Sequence, residues 1–195
     1  MSNYVVKNVS KGFLKKLLSK DRIESVTLTE TGFTITSEKQ GEIPVSFELV
    51  TAVKTRFYLD KMTPYRTVVI LTDEPKEYSL DVSPQMEEID NILKHYASHQ
   101  LKGELPEKIE DINLVLQRGL NDYSIRLKSG CLIVTKAGQE TSYPMEELEY
   151  YRVDKPSNTI NLKFKDKKLF VTLSATEVTN IWLTLRILET FSTKK

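Results

Sequence analysis

A single cysteine, Cys131, in a chain of 195 residues rules out an intrachain disulfide framework. A small secreted scaffold held by disulfides is therefore excluded, and a reducing cytoplasm is the expected compartment. Long apolar runs are missing too. No stretch approaches the ~18 consecutive apolar residues of a spanning helix, and the opening MSNYVVKNVSKGFLKKLLSK lacks the unbroken apolar core of a signal peptide. An excess of one charge is also absent: 28 Lys and Arg stand against 27 Asp and Glu, for a formal net charge of +1. Divided after Gln100, the chain carries 13 basic minus 14 acidic residues and then 15 minus 13. Without a strongly basic half, a dedicated duplex-DNA binder is disfavoured.

The side chains of catalysis are equally scarce. The two histidines, His95 and His99, lie four apart on one expected helix, a spacing that suits a shared metal. No HExxH pattern accompanies them and the only cysteine is distant in sequence, so they read as a solvated helix end. Cys131 opens a strand between Gly130 and Leu132, as a small buried hydrophobe does. Glu146, Glu147 and Glu149 read as solvated rather than paired for acid–base work. The expectation is a protein that is not an enzyme and has no catalytic, metal or cofactor residues.

What is present is an ordinary globular composition, 39% hydrophobic and 28% charged, enough for a core in one large or two small domains. Residues 1 to 12 form a polar lead-in. From Lys11 to Lys20, Phe13, Leu14, Leu17 and Leu18 recur at helical spacing opposite Lys15, Lys16 and Lys20, predicting a short basic amphipathic helix. The leader from Lys7 to Arg22 holds six basic residues and one acidic, a charge of +5, against −6 for Ile23 to Gln100.

The period then changes to two. Val26 and Leu28 alternate with threonines, Gly32 turns the chain, and Phe33 and Ile35 alternate with threonines again. Strands are expected at Ile43 to Phe47, Val50 to Tyr58, Thr67 to Thr72 and Glu77 to Val82, the TVVILT run buried on both faces. Ser83, with Pro84 next, caps a helix whose stripe is Met86, Ile89, Leu93 and Tyr96. The polar stretch 99–106, with Gly103 and Pro106, is the expected joint. Beyond it, Ile109 to Gln117 reads as a second short helix, and the strands begin again.

The second half repeats the first. An offset of 99 places Val26 and Leu28 on Ile125 and Leu127, and Phe33 and Ile35 on Leu132 and Val134. An offset of 100 then aligns Ile43, Pro44 and Val53 with Tyr143, Pro144 and Val153, and Ser83 meets Ser174 at the start of a final helix running to Phe191. Two domains follow, 11–98 with the leader helix and 107–191.

Antiparallel strands closed by one C-terminal helix resemble the pleckstrin-homology (PH) superfold. EIPVSFELVTAVKT at 42–55 is similar to the third and fourth strands of bacterial PH-like domains, and YPMEELEYYRVDK at 143–155 is a poorer version. The resemblance covers 13–191 and implies a mainly β protein with α: two tandem PH-like bent β-barrels, each closed by a C-terminal helix and preceded by a short helix. PH-like domains bind lipids, peptides or proteins, so it implies a binding module without naming a ligand. More narrowly, 11–98 is similar to the N-terminal region of bacterial helicase IV, although no GxxxxGK[ST] phosphate loop occurs anywhere.

Several surfaces are candidates for binding. In the hairpin 54–66, alternation that buries Val53, Thr55 and Phe57 exposes Lys54, Arg56 and Tyr58, joined by Lys61, Tyr65 and Arg66. Arg and Tyr are the chemistry of protein hot spots and of single-stranded nucleic-acid platforms. Tyr150 and Tyr151 occupy the matching strand of the second copy, where one of the two must face outward. On the last helix, Val178, Ile181, Trp182, Leu185 and Leu188 make the core stripe and leave Leu183, Ile187 and Phe191 to be buried by the other copy or another subunit. The turn after the first strand, Thr29 to Gly32, is acidic and its counterpart, Lys128 to Gly130, has one lysine, which argues against a specific phosphoinositide site. The expected function is non-catalytic protein–protein interaction or self-association as a cytoplasmic adaptor. The alternative is single-stranded nucleic acid or an anionic membrane, bound through the hairpin and leader, with no small-molecule substrate implied.

Overall fold

The computed structural model describes residues 4–8, 22–60, 63–73, 76–82, 87–154 and 157–192, and at 56–60 and 63–66 the description is of the backbone. The chain divides into two compact units, Met1–Tyr96 and Ala97–Lys195. The expected leader helix, the Ser83–Pro84 cap, Met86 and Lys61 lie outside the described residues.

Unit 1 opens with an antiparallel sheet whose strands pair in chain order, β1 (Val5–Lys7), β2 (Ile23–Leu28), β3 (Gly32–Ser37) and β4 (Gly41–Ser46). The threonine alternation sets its faces. Val26, Leu28, Phe33 and Ile35 are buried while Thr27, Thr34 and Thr36 remain half-buried, as the period of two requires. A 3-10 turn, Phe47–Leu49, follows, in which the Ser46 side chain accepts from the Glu48 amide at 3.3 Å. A three-stranded sheet of β5 (Val50–Asp60), β6 (Thr63–Thr72) and β7 (Glu77–Val82) leads to helix α1 (Glu87–Leu101).

Unit 2 repeats this order. After a 3-10 turn at Ile109–Asp111 come β8 (Asn113–Arg118), β9 (Ser124–Lys128), β10 (Cys131–Lys136) and β11 (Gln139–Pro144), then a 3-10 turn at Met145–Glu147. The sheet of β12 (Leu148–Asp154), β13 (Thr159–Phe164) and β14 (Val171–Ser174) and the helix α2 (Ile181–Phe191) complete it. Both units also share a register shift one residue into the second sheet, between Val50 and Ala52 and between Leu148 and Tyr150.

The expected pair of barrels, each closed by a helix, does not form. The protein is mainly β, but among the described residues its strands make four separate antiparallel sheets and none closes on itself. The 3-10 turn in each unit takes the chain out of the first sheet before the second begins, so the fourth and fifth strands share no ladder. In unit 2 the two sheets share one hydrophobic core, and single polar contacts tie β8 to β14 and to the segment that follows it. Gln117 and Val178 form an isolated bridge, the Gln117 Oε1 accepts from the Ser174 amide at 2.8 Å, and the Thr179 amide donates to the Leu116 carbonyl at 2.8 Å.

Three further elements differ from expectation. The second short helix at Ile109 to Gln117 is a 3-10 turn followed by strand β8, because Ile112, Leu114 and Leu116 already alternate and Ile112 and Leu116 go to the core. Val5–Lys7, in the polar lead-in, is a strand paired with β2. The polar joint begins later than 99, since α1 runs to Leu101 and ends in a Schellman motif: Gly103 N donates to Ser98 O at 2.8 Å, Lys102 N to His99 O at 3.0 Å, and Lys102 takes the left-handed conformation at φ 57°.

In unit 1, α1 buries Ile89, Ile92, Leu93 and Tyr96, a stripe at three- and four-residue spacing. Phe33 packs edge-on against Phe47 with centroids 5.1 Å apart, Phe47 meets Tyr96 at 6.1 Å, and the Tyr96 hydroxyl donates to the Val50 carbonyl at 2.8 Å. Each such apolar side chain contributes roughly 1.5–3 kcal/mol by leaving water. Ala97, on the last turns of the same helix, belongs to the core cluster of unit 2, where Leu101 packs as well.

Candidate interaction site

The two units diverge most at the hairpin of the second sheet. In unit 2, β12 and β13 pair as far as Asp154 with Thr159. The equivalent pair in unit 1 is Arg56 with Thr67, and there the ladder continues through Phe57 with Arg66, Tyr58 with Tyr65, Leu59 with Pro64 and Asp60 with Thr63. Strand β7 pairs with β6 only as far as Arg66 with Val82. Among the described residues, the β5–β6 hairpin therefore runs on as a two-stranded ribbon past the third strand of its own sheet.

Register divides the expected basic set. Lys54, Arg56 and Tyr58 share one face of the ribbon with Val69, Thr67 and Tyr65, their direct partners, and Tyr58 stands opposite Tyr65. Arg66 is paired with Phe57, one position along, and so belongs to the other face. Lys54 is also not exposed: only 8% of its surface meets solvent. The alternation argument fails there because this sheet is covered on both faces. Thr67, Val68, Val69 and Ile70 are all buried, and the Thr67 hydroxyl donates to Asp81 Oδ1 at 2.8 Å.

Of the tyrosine pair, Tyr151 is buried in the core and Tyr150 is half-buried, its ring edge-on to Phe170 with centroids 6.3 Å apart. The α2 residues expected to seek an outside partner are instead in the core of unit 2. Leu183, Ile187 and Leu188 are buried, and Phe191, with Ile181, Trp182 and Leu185, packs half-buried against the same cluster. The helix is apolar on nearly every side, so spacing alone could not choose its inner face. Its cap differs too. Ser174 ends β14, and Asn180 caps α2 by accepting the Leu183 amide at 3.1 Å while its amide group donates to Gln100 Oε1 at 3.3 Å.

Among the described residues no three or more His, Cys, Asp and Glu side chains converge as a metal site. His95 lies against the Tyr4 ring at 5.9 Å, with its Nδ1 2.8 Å from the Asn91 carbonyl oxygen. Cys131 is half-buried on β10. One raised pKa stands out. Burial, and the neighbouring Tyr143 phenol, push the Tyr123 hydroxyl above its ordinary value of 10.0.

The surface that sequence reading passed over is the loop Lys165 to Phe170 between β13 and β14, exposed throughout. Leu169 is 82% exposed and Phe170 48%. Its signal was legible as KFKDKKLF, a lysine-rich stretch past the end of a strand that ends in two adjacent apolar residues. Among the described residues, no helix is long and apolar enough to cross a membrane. No protein-family model and no curated protein matches the chain.

Proposed function

We propose that this is a non-catalytic interaction module whose partner is another protein, held by the β5–β6 ribbon of unit 1. The observation that carries the reading is the length of that ribbon, four pairs beyond the point where its counterpart stops, in a unit that otherwise repeats the same order of elements. Isolated two-stranded hairpins are marginal in water. A binding partner would give such a ribbon a role. Arg56, Tyr58 and Tyr65 hold neighbouring register positions on one face, and Arg and Tyr are the residues on which protein interfaces concentrate their affinity. The lone cysteine supports placing the protein in a reducing cytoplasm.

Nucleic acid or an anionic membrane fits the ribbon less well. Lys54 is buried, and Arg66 holds a register position on the face opposite that of Arg56, which supports a protein partner over a phosphate backbone.

The test replaces Tyr58–Tyr65 with the sequence of Lys155–Asn158, the connection of the equivalent hairpin in unit 2, and so keeps the Arg66–Val82 pair of the three-stranded sheet. The shortened protein is expected to unfold at the same temperature as the parent, and to lose a partner that the parent retains from its native host at high salt. An unchanged set of retained proteins would sink the proposal. Retention of the parent on single-stranded DNA, fading steeply with salt, would favour the nucleic-acid reading instead.

A further inference from the structure

We infer that the β13–β14 loop of unit 2 is a self-association surface, and that its occupant is the same loop of a second copy of this chain. The apolar part is Leu169 and Phe170, with Tyr150 edge-on to Phe170. Single exposed leucines, such as Leu120 on another turn, are common on soluble proteins. Two adjacent large apolar residues backed by a half-buried tyrosine form a patch, and patches mark contacts.

The loop holds a definite shape. Lys165 N donates to Glu147 O at 2.9 Å, Lys167 N to Phe164 O at 3.3 Å, and the Lys163 ammonium to the Lys167 carbonyl, while Asp166 adopts the left-handed conformation at φ 55°. The counterpart in unit 1, Asp73 to Lys76, is shorter and has no large apolar side chain.

Charge selects the occupant. The segment Met145 to Phe170 carries six basic and five acidic residues, a balance of +1. The two signs are locally sorted: Glu146 and Glu147 sit on the 3-10 turn whose carbonyl receives Lys165, at the start of the loop, and Lys167 and Lys168 lead directly into Leu169 and Phe170 at its end. A bilayer or a nucleic acid presents continuous negative charge and would meet the glutamates along with the lysines. A second copy related by a two-fold axis through the apolar pair presents lysines to glutamates and glutamates to lysines, the self-complementarity of an isologous contact.

This surface is separate from the ribbon, so the chain shortened at Tyr58–Tyr65 should associate as the parent does, whether or not the ribbon binds a protein. The decisive measurement is sedimentation velocity of the full chain over a wide concentration range. Expected is a reversible monomer–dimer equilibrium, weakened at least about tenfold in Leu169→Glu with Phe170→Glu, without a change in unfolding temperature because both side chains are exposed. Lys167→Glu with Lys168→Glu, and separately Glu146→Lys with Glu147→Lys, should each weaken the dimer. An equimolar mixture of these two charge-reversed proteins should restore it. A parent that stays monomeric at every concentration overturns the inference, as does a dimer unmoved by all three double variants. A monomeric parent that cosediments with phosphatidylglycerol–phosphatidylcholine vesicles would assign the loop to a membrane and overturn it too.

Discussion

The second sheets of the two units share strand order, antiparallel pairing and even the register shift after their 3-10 turns, yet they meet their surroundings differently. In unit 1, Ala52, Lys54, Thr67 and Val69 make the second face and all four are buried. At the equivalent positions of unit 2 stand Tyr150, Arg152, Thr159 and Asn161, half-buried or exposed. A duplicated backbone thus leaves side chains free to diverge. One unit buries that face and has the longer hairpin, and the other leaves it wet and has the apolar loop. Sequence difference between equivalent positions is where distinct tasks should be sought.

The largest expected effect that sharpens this contrast is at the start of the third strand. Gly32 and Cys131 are equivalent, since Phe33 pairs with Leu28 as Leu132 pairs with Leu127. A Cβ on Gly32 would lie 2.0 Å from the Val45 carbonyl oxygen, so Gly32→Ala must displace backbone. It should cost about 3 kcal/mol in urea unfolding, against less than about 1 kcal/mol for Cys131→Ala. Equal costs would mean that the two strand entries are not built differently.

Next is the contrast between Lys54 and Arg152. Reversing the buried charge, Lys54→Glu, should destabilise by about 2–3 kcal/mol, while Arg152→Glu on the exposed counterpart should stay within about 0.5 kcal/mol. Comparable values would break the distinction between a covered and a wet face.

The smallest effect is a dependence on pH. Tyr123 corresponds in position to the exposed Glu24, and burial raises the pKa of the tyrosine. A folded pKa above the unfolded one favours the protonated phenol in the native state. Its contribution is complete below the unfolded value of about 10 and is lost as pH rises through the folded value. Tyr123→Phe should flatten the alkaline part of the stability curve and leave neutral pH unchanged. An identical alkaline slope in both proteins would remove Tyr123 from the account.

Much of this was legible from residue pattern. The offset of 99 that laid Leu28 on Leu127 and Phe33 on Leu132 reproduces the observed cross-strand pairs. It failed one turn later. The matching prolines suggested an offset of 100, but Phe33 pairs with Val45 and Leu132 with Tyr143, an offset of 98. Glu38 to Gln40 join β3 to β4, while Ala137 and Gly138 alone join β10 to β11, both at positive φ, 49° and 78°, as a two-residue type I′ turn demands. The missing residue puts Tyr151, and not Val153, in the place of Val53, so Val153 is exposed. Period-two patterns report faces faithfully but carry no information about loop length. Apolar helices fail differently: α2 has so many apolar positions that Leu183 and Ile187 look surplus until the fold shows them inside.

The single Gln117 side chain that accepts the Ser174 amide has a kinetic consequence. That amide is shielded from solvent deuterium by a rotatable side chain and not by a neighbouring strand. It can exchange whenever the glutamine swings away, with the rest of the unit still folded. The Ser174 amide should therefore exchange by local opening, at a fraction of the free energy of global unfolding.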